Sequence, residues 1–235
     1  MIKIVCMIPA RLGSKRIKKK NIRLLGGIPL ISYAIRAAKR AGCFDEIYVN
    51  SESKIIEKIA LEEDVKFYNR SMHLSTDDAT NDEFTKDFLE RIDCTILIQL
   101  LPTSPFITGA EIRNFVRTMR NTGADTFISV KNQQIECVYK GIPVNFNQRK
   151  VSPPSQELEP VQAYACALMG WRRSNYLENM EIYNCGYHGG DGNIGFYVLK
   201  GFSEIDVDNE WDFQLAESVQ RFIEKKKIVE PKYYE

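Results

Sequence analysis

Two clusters of charged residues, one near each end of the 235-residue chain, could do chemistry together. In the first, "IPARLGSKRIKKKNIR", an apolar run ends at Pro9. Seven cations (Arg11, Lys15, Arg16, Lys18, Lys19, Lys20 and Arg23) then fall within fourteen residues, with no acid among them. The whole chain has a formal charge of only +1, so this excess is local. Arginine offers a planar fork to phosphate and lysine a point charge. Gly13 permits a tight turn whose backbone N–H groups could cradle phosphate oxygens. The spacing is neither G-x-G-x-x-G nor G-x-x-x-x-G-K-[ST], which excludes a dinucleotide fingerprint and a Walker loop. A polyphosphate held by another kind of loop remains; for Lys18 and Lys19 a solvated turn is an equal reading.

The second cluster is "EIDVDNEWD". An extended backbone with a period of two puts Glu204, Asp206 and Asp208 on one face and Ile205 and Val207 on the other. Neighbouring carboxylates repel unless a cation lies between them, and hard oxygen ligands suit Mg²⁺. Alternatively, Asp208 or Asn209 caps the following helix, with Asp212 completing a capping box. The two roles are compatible.

The elements that must position these clusters are legible from periodicity. Short β-branched runs at Ile2–Ile8, Glu46–Asn50, Lys66–Tyr68, Thr95–Leu100 and Thr126–Val130 predict strands. Between them, apolar residues at helical spacing predict helices around Leu30–Ala38, Ile55–Ala60, Phe84–Leu89 and Ile112–Met119, with Pro29 and Thr108 opening two of them. Strand and helix in alternation predict an open, doubly wound α/β fold with a mainly parallel sheet. The loop after its first strand then lies where such sheets bind ligands. Residues 132–163 break the pattern with four prolines, and predict a small inserted arm serving a dimer interface. A helix from about 209 to 227 closes a single domain spanning 1–235.

Composition sets limits. With 32 basic and 31 acidic side chains there is no global field to draw nucleic acid or an anionic membrane. The six cysteines are scattered without a C-x-x-C pair, and read as reduced thiols of a cytoplasmic protein. No apolar run approaches the roughly 18 residues that cross a bilayer. Two histidines are too few for a multi-histidine metal site.

"IPAR-x-GSKR-x-x-x-KN" resembles the entry motif of the acylneuraminate-type cytidylyltransferases, which join CMP to eight- or nine-carbon 3-deoxy-2-keto sugar acids. "DVDNEWDFQLAE" resembles that family's closing motif, "NRSMHLSTDDATND" its segment near the cytidine, and "LIQLLPTSPFITGAEI" a strand end whose Gln faces the sugar acid. Likeness covers about residues 1–130 and 200–220.

The resemblance implies a Rossmann-like nucleotidyltransferase domain, a homodimer, CTP and a keto-sugar acid as substrates, and Mg²⁺ as cofactor. It implies Arg11 and Lys20 at the phosphates and Asp206 and Asp208 as metal ligands. Ala10, Gly13, Ser14, Lys15, Asn21, Arg70, Thr80 and Asn81 would bind the nucleotide, and Gln99, Lys140 and Gln156 the sugar acid. The chain departs from the family at Lys18 and Ser71, both usually proline, and at "SQELEPVQAYACALM", where sialic-acid enzymes carry Arg and then "PNGA". The expected reaction is CTP plus nonulosonate giving CMP-nonulosonate plus pyrophosphate. The rival readings are an octulosonate (Kdo-type) cytidylyltransferase and a GT-A glycosyltransferase, whose D-x-D normally ends a mid-chain strand.

Overall fold

The computed structural model describes residues 2–225. Its elements in chain order are β1 (Ile4–Pro9), β2 (Leu24–Leu25), β3 (Ile28–Pro29), α1 (Leu30–Ala41), β4 (Glu46–Ser51), α2 (Lys54–Glu62), β5 (Lys66–Asn69), α3 (Asn81–Arg91) and β6 (Ile96–Leu100). They continue with α4 (Gly109–Thr122), β7 (Thr126–Gln133), β8 (Val138–Tyr139), β9 (Ile142–Pro143), β10 (Val161–Arg172), α5 (Arg173–Tyr183), β11 (Ile194–Val198) and α6 (Glu210–Lys225). The last two residues of the expected 209–227 helix lie outside the described residues.

Seven strands form one sheet in the order β11-β7-β10-β6-β1-β4-β5, and only β10 runs against its neighbours. Every residue of the central strand β1 is buried, as expected where helices cover both faces. Ile31 and Ile35 of α1, Ile56 of α2 and Phe115 of α4 pack in one apolar cluster; Phe88 of α3 and Tyr176 and Met180 of α5 pack in another. A third cluster seats α6, through Phe213, Ala216 and Val219, beside Leu25 and Leu30.

Local signals place the helix starts. Thr108 and Glu111 form a reciprocal capping box at α4, and Thr80 and Glu83 do the same at α3. Helices α1 and α4 end on Gly42 and Gly123, both left-handed, with φ of 61° and 70°.

The mainly parallel sheet is as expected, and two other expectations need correction. Residues 205–208 belong to no strand; one backbone bond, from Val207 N–H to the Thr103 carbonyl (2.8 Å), ties them to the segment after β6, with Val207 buried. The arm is narrower than 132–163, because Asn132 and Gln133 still pair with Gln162 and Val161 in the sheet. What projects is 134–160, built around the β8–β9 hairpin. The strand β10 is antiparallel because the chain returns from this arm directly, without a crossover helix.

Helix α4 begins at Gly109, pressed against the end of α1: a Cβ there would sit 2.8 Å from the Arg40 carbonyl carbon and 2.9 Å from the Ala41 nitrogen. Gly109→Ala should therefore destabilise by about 1–3 kcal/mol despite alanine's better helix propensity. Urea unfolding checks this; a gain in stability would show that the two helices separate freely.

Candidate active site

The carboxyl ends of β1, β4, β5 and β6 converge on one edge of the sheet, and a cleft of about 400 Å³ opens there. Its wall on one side is the basic loop, which supplies Ala10, Arg11, Ser14, Lys15, Lys20 and Asn21. Arg70 and Phe84 close a second side, and Leu101–Thr103 a third.

The loop is fastened at several points. Ile17, 3% exposed, is buried in the cluster with Val207 and Phe213, so the cationic segment has an apolar anchor. Asn21 donates its Nδ2–H to the Arg11 carbonyl at 3.0 Å, and the Leu12 N–H donates to Glu52 Oε1 at 2.9 Å. Lys19 carries the strained backbone, with φ of 55°. A tight turn centres on Gly13, closed by the Ser14 N–H to the Leu12 carbonyl at 3.0 Å; Gly13 has no positive φ and no neighbour within 4 Å of where a Cβ would sit, so the turn does not require glycine.

Opposite charges from distant parts of the chain meet here. Lys20 donates from Nζ to the Val207 carbonyl at 2.7 Å and to Asp208 Oδ1 at 3.2 Å, while Arg16 Nη1 reaches Asp208 Oδ2 at 3.0 Å. At the far end of the loop, Arg11 and Lys15 grip Asp77 at 2.9 and 2.5 Å. These contacts hold Asp77 below the ordinary carboxylate range, Lys15 contributing most. Arg70 lies beneath the loop, its side chain 3% exposed. It donates to the Ala10 carbonyl at 3.0 Å and to Ser75 Oγ at 3.1 Å, and sits over the Phe84 ring at 4.8 Å. Burial draws its pKa down; Glu52, at 3.7 Å, opposes that shift.

Asp206 points the other way. Burial, chiefly, and the neighbouring Asp208 raise its pKa, while Thr103, Lys20 and Lys131 oppose the rise. Its Oδ1 is buried without a hydrogen-bond partner. Helix capping does not occupy these carboxylates: Asn209 Oδ1 accepts from the Trp211 and Asp212 N–H groups, and Asp212 Oδ2 accepts from those of Asp208 and Asn209. Asp206 and Asp208 thus supply hard oxygen donors of the kind that hold Mg²⁺, one with a vacant lone pair.

The remaining sequence candidates lie elsewhere. Thr80 caps α3, and Asn81 Oδ1 accepts from Thr85 Oγ1 at 2.9 Å. Gln99 is fully buried in β6; its Oε1 accepts from Thr85 at 3.4 Å and its Nε2 has no partner. Lys140, with φ of 49°, sits in the β8–β9 turn with its ammonium 5.3 Å from the Tyr139 ring centroid. Gln156 is exposed on the arm, where its carbonyl accepts from Gln134. None of these five lines the cleft. Conversely, Glu52, Asp77, Phe84 and Lys131 carried no signal of their own in the sequence: each is a single residue whose partner is more than forty positions away or on another element.

Comparison with known proteins follows the same outline. The family model described as cytidylyltransferase matches residues 5–178. Post-translational flagellin modification protein B of Campylobacter coli is 27% identical, over 99% of this chain and 99% of its own. An N-acylneuraminate cytidylyltransferase of Streptococcus agalactiae is 28% identical over 90% of this chain, which spans about half (52%) of that relative's length. The CMP-N,N'-diacetyllegionaminic acid synthase of Legionella pneumophila is 38% identical over 52% of the chain and 55% of its own. Among solved structures, CMP:2-keto-3-deoxy-manno-octonic acid synthetase complexed with CTP shares the α/β Rossmann-like fold, with a TM-score of 0.68 at 16% identity, covering 96% of this chain and all of that one.

Because Arg70 is buried between the Ala10 carbonyl, Glu52 and Phe84, Arg70→Met should cost about 2–4 kcal/mol by stranding a carbonyl and a buried carboxylate. Lys15→Met, at a side chain 74% exposed, should leave the urea midpoint where it was. Equal losses in the two variants would mean that the loop, not Arg70, carries the stability.

Proposed function

The chain belongs to the cytidylyltransferase family, and is therefore a nucleotidyltransferase; from that premise we propose that it transfers CMP from CTP to a sialic acid-like nonulosonic acid, releasing pyrophosphate. The observation that carries this reading is the meeting of the two charged clusters at one cleft, where Arg16 and Lys20 hold Asp208. A triphosphate brings negative charge to Arg11, Lys15 and Lys20, and a divalent ion brings positive charge to Asp206 and Asp208. Each ligand satisfies one cluster.

The chemistry is displacement at phosphorus. The anomeric C2 hydroxyl of the sugar acid attacks the α-phosphorus, its bond to the bridging oxygen of pyrophosphate breaks, and the hydroxyl proton is lost to solvent or to Asp208. Arg11, Lys15 and Lys20 stabilise the charge that builds on the leaving group. Mg²⁺, held by Asp206 and Asp208, would lower the charge at the reacting phosphate. Asn21 and Glu52 keep the loop backbone in place while these side chains work.

A nonulosonate acceptor is supported by the Streptococcus and Legionella relatives, an N-acylneuraminate cytidylyltransferase and a CMP-N,N'-diacetyllegionaminic acid synthase. The homodimer in this reading draws support from the arm, where Ile135, Val138, Tyr139, Ile142, Val144 and Val151 are all more than half exposed. Lys140 and Gln156 share that arm, and in a dimer they would serve the partner's cleft. No helix among the described residues is long and apolar enough to cross a membrane, which fits an enzyme working on soluble nucleotides in the cytoplasm.

Pyrophosphate release from CTP with Mg²⁺, measured against a panel of keto-sugar acids, tests the assignment. Release with a nine-carbon acid is expected; release only with the eight-carbon acid would transfer the assignment to the octulosonate branch. Asp206→Asn should lower the rate by about 100-fold or more. It should also abolish any rise in melting temperature that Mg²⁺ produces in the unaltered protein. A variant with full activity removes Asp206 from the metal site.

A further inference from the structure

The cations assigned to the triphosphate are not free in this structure. Arg11 Nη1 donates to the Thr76 carbonyl at 2.7 Å, and Nη2 pairs with Asp77 Oδ1 at 2.9 Å, so the segment 76–77 engages both terminal nitrogens of the guanidinium. Lys15 Nζ lies 2.5 Å from the other oxygen of the same carboxylate. One carboxylate, with its charge spread over two oxygens, thus bridges two cations in the way a phosphate would.

We infer that Asp77 is an internal competitor for the triphosphate, and so a residue that sets nucleotide affinity and selectivity. This rests on the nucleotide reading above. Asp77 is not needed to build the cradle: the backbone of Arg11 and Leu12 is already fixed by Asn21 and Glu52, and Ile17 is anchored in the apolar cluster under α6. Nor is it costly to displace. Asp77 is 39% exposed, Lys15 is 74% exposed, and ion pairs so open to solvent are weak. The segment is also short and bounded. It follows the single helical turn Met72–Ser75, to which Thr76 Oγ1 is bonded through the His73 carbonyl, and ends at Thr80, the cap of α3; residues 77–79 between them make no hydrogen bond to either element.

A ligand that reaches Arg11 and Lys15 must therefore exchange one anion for another. A triphosphate has the charge and length to do so. A nucleoside monophosphate bound near Lys20 and Asp208 leaves Asp77 in place. Asp77 thus lowers the affinity for every ligand whose phosphates enter this end of the cleft, and leaves the others alone. It also lessens the salt dependence of triphosphate binding, since an internal carboxylate stands in for the solution anions that would otherwise gather there.

Calorimetry with Mg²⁺ and two probes, inorganic tripolyphosphate and CMP, tests this. Asp77→Asn should bind tripolyphosphate about two- to five-fold more tightly, on the scale of an exposed ion pair, with CMP unchanged. Its tripolyphosphate affinity should also fall more steeply with added salt. Asp77→Glu, which keeps the charge, should stay near the unaltered protein. Weaker or unchanged binding in Asp77→Asn overturns the inference and makes Asp77 a support for the cradle. Equal tightening of CMP overturns it as well, by showing a general loosening of the cleft. Should neither form bind tripolyphosphate or CMP, the nucleotide reading itself fails; binding by the unaltered protein without tightening in Asp77→Asn removes only the role given to Asp77.

Discussion

The structure depends on neutralising charges that the sequence concentrates. Arg11, Lys15, Arg16 and Lys20 fall within ten residues, and a turn that brings them together without anions would repel itself. The fold answers with carboxylates from two remote places: Asp77, 62 to 66 residues on, and Asp208, near the last helix. The second contact closes a span of 188 positions, from Lys20 to Asp208. It is partly sheltered, the Lys20 side chain being 12% exposed, and it is backed by the Lys20 bond to the Val207 carbonyl and by Ile17 and Val207 in one apolar cluster. Charge pairing and burial therefore act at the same junction, and the two ends of the chain are held there together.

Parallel strands explain why such distant residues can share one cleft. In β1, β4, β5 and β6 all chains leave the sheet at the same edge, so Ala10, Glu52, Arg70 and Leu101–Thr103 follow strand ends that lie side by side. Helices on both faces make those strands rigid, with Val5–Ile8 and Leu97–Ile98 fully buried. The loop between β1 and α1 then needs only a few bonds to set it. Arg70 is the clearest example: it follows β5 directly, and its guanidinium reaches the backbone of Ala10 across the intervening strand β4.

Much of this architecture was legible because its signals are local. Alternating short strands and helices, the caps at Thr80 and Thr108, and the cation run all depend on neighbours within a few residues. The meeting of Lys20 with Asp208 was reachable only through two motifs read jointly. Features set by long-range geometry were not legible. The direction of β10 depends on how the arm returns, which no periodicity records. The segment 205–208 keeps part of the alternation of a strand, with Ile205 and Val207 against the apolar cluster and Asp208 on the loop, yet it has no strand partner and is tied instead to Thr103. Gln99 reads as a group at a strand end, but the packing of α3 through Thr85 covers it. Asp77 and Glu52 are single acids whose meaning lies in partners that sequence spacing does not reveal.

The groups that oppose folding are gathered at the same edge as those that would do the chemistry. Three of the four buried side-chain atoms without a partner among the described residues, on Asn50, Gln99 and Asp206, lie toward the carboxyl ends of β4 and β6 or on the segment tied to Thr103. Each such atom costs about 1–3 kcal/mol of desolvation. Asp206 in addition carries a charge that burial and Asp208 both disfavour, and Arg70 a charge that burial disfavours. A carboxylate held this way gains more from a bound cation than one already paired, because its oxygen has no competing partner. The central strands and the paired capping boxes offset that cost elsewhere, so the fold tolerates at this edge unpartnered groups that would be a defect in the core.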